Sequence, residues 1–416
     1  MSYRFDLGLF EGFGVELEYM IVDRRTLEVR PVADALIRAA AGAPEAEIER
    51  GELAWSNELA LHLIEFKTNG PAARLEGLAS LFQESVAEAN ALLAPLDAKL
   101  MPGAMHPWMD PDRELVIWPH EYSPVYRSFD RIFGCHGHGW ANVQSVHLNL
   151  PFSNDEEFGR LHAALRLVLP MLPALAASSP IVGGRATGLL DNRLVFYRQH
   201  AERIPSVTGA LVPESVFTRE AYETQVLDRI YRDLESHDPA GSLRHEWVNA
   251  RGAIARFDRG SLEIRVLDVQ ECPAADLAIA AATVGVVEAL AAGEWSAPEE
   301  QRSFETAALN AILEETTVRA EAATIGDEGY LRALGCLRAG PVTARDLWRQ
   351  LIETTRVREA GNGEWKAALE TILEEGCLAS RILGRLGPDP PRSRLHGLYE
   401  ELSACLAEGR LLRARG

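Results

Sequence analysis

Cysteine is scarce in this 416-residue chain. There are five, at positions 135, 272, 336, 377 and 405, odd in number, widely spaced and without a Cys-x-x-Cys pair. That argues against a disulfide framework or a zinc knuckle and points to a reducing compartment, the cytoplasm. Positive charge is also short, with 42 Lys and Arg against 61 Asp and Glu for a net charge of -19. Nucleic acid and anionic membrane need a basic field, so neither is an expected partner. An anionic substrate would need local arginines or a metal. Long apolar runs are missing. The most apolar stretch, 277–293, carries Glu288 and is too short to span a bilayer comfortably, so it is expected as a buried helix. The first residues lack the apolar run of a signal peptide. The Walker pattern for phosphate binding is absent, and no fixed-period repeat or low-complexity segment is apparent.

What is there belongs to an ordinary soluble globular protein: 47% hydrophobic and 25% charged residues, with length for two to three domain equivalents or one elaborate domain. The informative stretches are strands with one polar face. In Gly14–Ile21, a period of two sets Glu16, Glu18 and Met20 against Val15, Leu17, Tyr19 and Ile21. Adjacent carboxylates repel unless water, a basic side chain or a cation offsets them, and hard cations select oxygen ligands. Taken alone, Glu-x-Glu fits a solvated outer face as well as a metal site.

A second acidic stretch, 57–66, carries Glu58 and Glu65 seven residues apart. A regular strand puts them on opposite faces, whereas a helix or a bulge lets them share one. Farther on, Ser145, His147 and Asn149 share one face of a strand, with Gln144, Val146, Leu148 and Leu150 on the other. In Ser261–Asp268 the same alternation groups Ser261, Glu263 and Arg265. Between these, the glycine-rich loop 183–188 with Arg185, followed by Arg193, suits an anionic ligand. His136 and His138, in the Gly- and His-rich segment 133–142, would need a third and fourth donor from elsewhere to hold zinc. His106 beside Pro107 reads as an incidental loop histidine. Helical patterns are expected over 31–41, 72–93, 155–177 and 277–290, the last capped by Asp276, and over 299–322, 327–338, 343–356, 364–385 and 393–413.

Five of these stretches, in this order, resemble the glutamate-cysteine ligase and carboxylate-amine ligase family, whose sheet is related to that of glutamine synthetase. They are Gly14–Glu18, Glu58–Phe66, Gln144–Asn149, Ser178–Arg193 and Leu262–Val269. The resemblance covers 13–292 and implies an α+β fold: a curved, mostly antiparallel sheet with helices on its outer face. It implies a catalytic domain at 1–293 and a helical C-terminal extension at 294–416 packed on it. It further implies ATP-dependent joining of a carboxylate, usually the γ-carboxylate of glutamate, to an amine such as cysteine through an acyl phosphate. Metal ligands, for Mg2+ or Mn2+, map onto Glu16, Glu18, Glu58, Glu65, His147 and Glu263, and the catalytic pair onto Glu263 and Arg265, the latter on the transferred group. Arg185, Arg193, Asn149 and Gln144 are the expected substrate contacts. Partners are then small molecules, with a homo-oligomer left open. Ser145 stands where some relatives have histidine, and Glu58 where others have aspartate. A guanidino-kinase-like phosphotransferase and a silent ligand-binding paralogue are the alternatives.

Overall fold

The computed structural model describes residues 5–43, 45–357, 363–387 and 389–414. Its main sheet has eight strands: β1 (Gly14–Asp23), β2 (Glu47–Arg50), β3 (Leu53–Asn57), β4 (Leu63–Thr68), β5 (Ala98–Met101), β6 (Ser145–Pro151), β7 (Ala253–Arg256) and β8 (Ser261–Asp268). Seven run in the order β2-β3-β4-β1-β6-β8-β7, with β5 added on β1, and every pairing is antiparallel. The fold is a mixed one of helices and an open antiparallel sheet.

Alternation decides which side of the sheet is dry. Val15, Leu17, Tyr19 and Ile21 of β1, Val146, Leu148 and Leu150 of β6, and Leu262 and Ile264 of β8 are all buried in one apolar core. Helices cover that core: α1 (Leu78–Leu93), α2 (Asp155–Val168), α3 (Asn192–Gln199), α4 (Pro273–Ala291), α5 (Ala344–Thr355), α6 (Lys366–Glu375), α7 (Leu378–Leu386) and α8 (Arg392–Glu408). The central one is α4, which touches α1 and α2 from the first half of the chain and α5 and α6 from the second. It is long and apolar enough by composition to cross a membrane, yet 83% of its most apolar window is buried inside the protein, as expected of a core helix. The apolar core runs unbroken from Val15 to Leu412.

Several element boundaries differ from the sequence reading, each for a local reason. The stretch 57–66 is not one strand: β3 ends at Asn57, a loop carries Glu58, and β4 starts at Leu63. The helix expected from 72 starts only at Leu78, after Gly77 in the left-handed region at φ 85°. Pro170 and Pro173 break 155–177 into α2, a 3-10 turn and a short helix. Gly376, at φ 95°, splits 364–385 into α6 and α7, and Gly409 ends α8 before 413. Helix α4 begins at Pro273, a residue suited to the first helical position, so Asp276 lies inside the first turn and accepts from Gln270 N at 2.7 Å instead of capping.

Candidate active site

Strand register assembles the polar face. Glu18 of β1 lies directly opposite Glu65 of β4, Glu16 opposite His147 of β6, and Asn149 of β6 opposite Glu263 of β8. Directly opposed residues on neighbouring strands share a face, so four strands present one continuous polar row. Gly14 permits the closeness of β1 and β6 there, because a Cβ at that position would sit 2.9 Å from Asn149 Cβ. Asn149 Nδ2 then donates to Glu16 Oε1 at 3.1 Å.

The row is buried at Glu18, Glu65 and Glu263, half-buried at Glu16, His147 and Asn149, and strongly polarised. His147 Nδ1 donates to Glu16 Oε2 at 2.9 Å, and its Nε2 lies 3.0 Å from Ser145 Oγ, which in turn donates to Glu18 Oε1 at 3.2 Å. Ser145 N donates to Glu18 Oε2 at 2.7 Å. Burial works against both charges of the His147–Glu16 pair, but their hydrogen bond and mutual attraction win: Glu16 falls to about 2 and His147 rises to about 9. The remaining carboxylates go the other way. Burial, then repulsion from Glu16, lifts Glu65 to about 7. Burial raises Glu18, and burial with repulsion from Glu65 and Glu18 raises Glu58 well above the usual carboxylate range. Among the described residues no lysine or arginine forms an ion pair with Glu58, whereas Lys67 reaches Glu65 at 3.3 Å and Glu47 at 2.6 Å.

These side chains form two overlapping sets. Glu16, Glu65 and His147 each offer a ligand atom within 4.8 Å of one another, and so do Glu18, Glu58 and Glu65. The donors are mainly carboxylate oxygens, the set that hard divalent cations select, and such a cation offsets the burial that raises Glu18, Glu58 and Glu65 and the repulsion that adds to it at Glu58 and Glu65. The residues therefore fit divalent cations, with Glu65 common to both sets. The hairpin made by β3 and β4 explains why Glu58 and Glu65 meet, which a single regular strand would not allow.

Glu263 stands apart from both sets. Its Oε1 accepts from Arg265 Nε at 2.5 Å and its Oε2 from Arg256 Nη1 at 3.2 Å. Arg265 holds Glu263 below the usual carboxylate range despite burial, and Glu263 in turn keeps the Arg265 guanidinium charged. A bulge in β8 between Ile264 and Leu267 sets the aim of Arg265 into a cleft of about 260 Å³ that Glu18, Glu58 and His147 also line. Arg193 borders the same cleft, but its nitrogens are taken: Nε pairs with Asp268 at 2.5 Å, and Nη1 and Nη2 donate to the Arg265 carbonyl at 3.2 Å. It braces the bulge. Arg185 is exposed on the small 181–182/185–186 hairpin, and the buried Gln144 lines neither this cleft nor the larger cavity beside it. His136 and His138 belong to neither ligand set, and His138 Nδ1 accepts from Asn142 Nδ2 at 3.1 Å.

Sequence reasoning did not single out Arg256, Lys67, Tyr126 or Tyr197. Arg256 and Lys67 follow the same alternation as Glu263 and Glu65, so their faces were readable; the cleft-lining tyrosines come from helices 123–133 and α3, whose approach no strand pattern reports.

Comparison with known proteins accords with this geometry. The family described as Glutamate-cysteine ligase family 2 (GCS2) matches residues 12–402. A protein of Archaeoglobus fulgidus of uncharacterised function is 32% identical over 397 residues, covering 94% of this chain and 98% of that one. A protein of Rubrobacter xylanophilus, provisionally assigned as glutamate–cysteine ligase 2-3, is 27% identical over 271 residues, 64% of this chain and 66% of its own length. Among solved structures, the glutamate–cysteine ligase of Francisella tularensis in complex with AMP is similar in fold, with a TM-score of 0.58 at 12% identity over 98% of this chain and 90% of that one.

Proposed function

The chain belongs to Glutamate-cysteine ligase family 2, and from that premise we propose that it joins a carboxylate, the γ-carboxylate of glutamate, to an amine at the expense of ATP. The observation that carries the reading is the pair of ligand sets sharing Glu65 beside an arginine aimed into the same cleft. A carboxylate oxygen attacks the γ-phosphorus of ATP, ADP leaves with the bridging oxygen, and an acyl phosphate remains. The amine lone pair then attacks the acyl carbon, phosphate leaves with the C–O electron pair, and the amine loses a proton.

Glu16, Glu65 and His147 would hold one divalent cation, Mg2+ or Mn2+, and Glu18, Glu58 and Glu65 a second. Bound there, such cations neutralise phosphate charge and align the transferred group. Arg265 contributes a fixed positive charge to that group, and Glu263 with Arg256 locks its direction so that no reorganisation is needed during transfer. Glu16 keeps His147 oriented, and Ser145 links His147 to Glu18. Arg193 and Asp268 hold the main chain from which Arg265 projects. No side chain acts as nucleophile. The rate gain comes from positioning and electrostatics.

The test is direct. Purified protein with magnesium-ATP, glutamate and a panel of amines should release ADP only when acid and amine are both present, with a condensed product by mass spectrometry. Glu65→Gln should reduce turnover by roughly 10³-fold, since it removes a ligand common to both sets. ADP release with a phosphorylated guanidine and no condensation would overturn the ligase reading.

A further inference from the structure

Beside the metal-fitting cleft lies a larger cavity of about 660 Å³, and the two share Gly139, Trp140 and His200. Part of its wall is the Gly- and His-rich segment 133–142, which has no part in the cation sets. Trp108, Phe133, Trp140 and Phe196 supply aromatic surface, His136, His138 and His200 supply imidazoles, and the exposed Asp110 and Asp112 supply carboxylates, Asp110 being paired with Arg113 at 3.4 Å and Asp112 free of any ion pair among the described residues. Among the described residues, no lysine or arginine lines it. The cavity wall is a built feature. Helix 138–141 packs so closely on α3 that a Cβ at Gly139 would meet Phe196 O at 2.5 Å and His200 Cβ at 2.7 Å. Trp108 is held from the C-terminal side by the Arg392 guanidinium, 3.6 Å from its ring centroid, by the stacked ring of His396 and by the edge of Tyr399. Arg392 is spent on that contact and on Glu28, 3.0 Å away.

The charge difference between the two cavities divides the substrates. The cleft offers Arg265 to anionic groups, whereas the neighbouring cavity has aromatic faces and carboxylates, which attract an ammonium. A carboxylate placed there would face Asp110 and Asp112 and meet no lysine or arginine among the described lining residues, whereas an ammonium would be attracted. We propose that this cavity is the amine-acceptor subsite and that it selects amines that carry an aromatic or other apolar body and no carboxylate, so that the acceptor is a decarboxylated amine and not an α-amino acid such as cysteine. The inference rests on the ligase reading for its chemistry. The selectivity itself is a property of the cavity.

Two matched pairs that differ only by the carboxylate test it: 2-phenylethylamine against phenylalanine, and cysteamine against cysteine. With magnesium-ATP and glutamate, kcat/KM should favour the decarboxylated member of each pair at least tenfold, and 2-phenylethylamine over cysteamine. Asp112→Asn should raise KM for 2-phenylethylamine several-fold with kcat little changed. Binding is read separately, without ATP, by titrating 2-phenylethylamine and phenylalanine against tryptophan fluorescence, with Trp140→Phe showing which signal comes from this wall. Equal or better use of the carboxylated partners overturns the subsite proposal and leaves the ligase reading standing. Selective binding of 2-phenylethylamine with no ADP from any amine overturns the ligase reading and leaves the subsite standing. Neither binding nor turnover overturns both.

Discussion

Ser145 shows how much one side chain can determine in a buried polar row. Its hydroxyl sits between His147 Nε2 and Glu18 Oε1, so the positive ring is tied to two carboxylates on one face of β1, Glu16 directly and Glu18 through Ser145. Imidazole at this position, as in some family members by resemblance, would replace that link with a second titrating ring. His106 illustrates the opposite case, a histidine kept neutral. Its Nε2 donates to Leu27 O at 2.7 Å while Nδ1 accepts from Trp108 N at 3.3 Å, which fixes one tautomer, and burial pushes its pKa down to about 3. The unfolded chain takes up a proton near pH 6.5 that the folded protein refuses until about pH 3. This contribution is therefore complete above pH 6.5 and is lost as pH falls toward 3. Urea unfolding between pH 7 and 4 should show stability falling with acid, and His106→Gln should flatten that slope by up to about 1.4 kcal/mol per pH unit. An unchanged slope would mean that His106 does not carry the effect.

At the scale of elements, the period-two alternation in 14–21, 145–150 and 261–268 was enough to assign faces, because a strand's side chains alternate whatever it pairs with. The order of the strands was not readable in the same way. Pairing Glu16 with His147 and Asn149 with Glu263 depends on contacts more than a hundred residues apart, which local pattern does not report. The Glu58–Glu65 relation stayed open for the same reason and was resolved by a hairpin. Arg193 looked like an anion ligand because buried ion pairing with Asp268, 75 residues away, leaves no trace in a linear sequence. Gly14 offers a test of the β1–β6 fit. Gly14→Ala puts a methyl 2.9 Å from Asn149 Cβ, so the strands must separate there. Turnover should fall on the order of 10²-fold, since small misplacement of reacting groups is costly, while thermal unfolding shows a loss of about 1 kcal/mol. Loss of stability without loss of turnover would dissociate this contact from the site.

Across the whole molecule, the last described residues close onto the core through a buried ion pair. Arg381 of α7 binds Glu271, both fully buried, and donates to Leu412 O at 2.6 Å; Leu412 N donates to Glu271 Oε1 at 3.2 Å. Glu271 lies two residues before the start of α4, so this knot ties the C-terminal helices to the helix that backs the sheet. Arg381→Met should cost about 3–5 kcal/mol because it strands a buried carboxylate, and the double variant with Glu271→Leu should recover most of that loss. Urea midpoints of the three proteins decide it. Equal losses in the single and double variants would show that packing, and not the uncompensated charge, sets the cost.

The placement of β1 has a consequence for how the protein is made. It is made well before two strands of the polar row: its neighbour β6 begins at Ser145, and β8, which completes the row, begins at Ser261. A nascent chain holding β1 and its partner β4 leaves the Gly14–Leu17 end of β1's other edge open until β6, whose first residue lies 77 positions after the end of β4, has been synthesised. The alternate glutamates of that edge, useless for catalysis at this stage, make it a poor template for pairing with another chain. The same carboxylates that later serve the site keep the half-made sheet to itself.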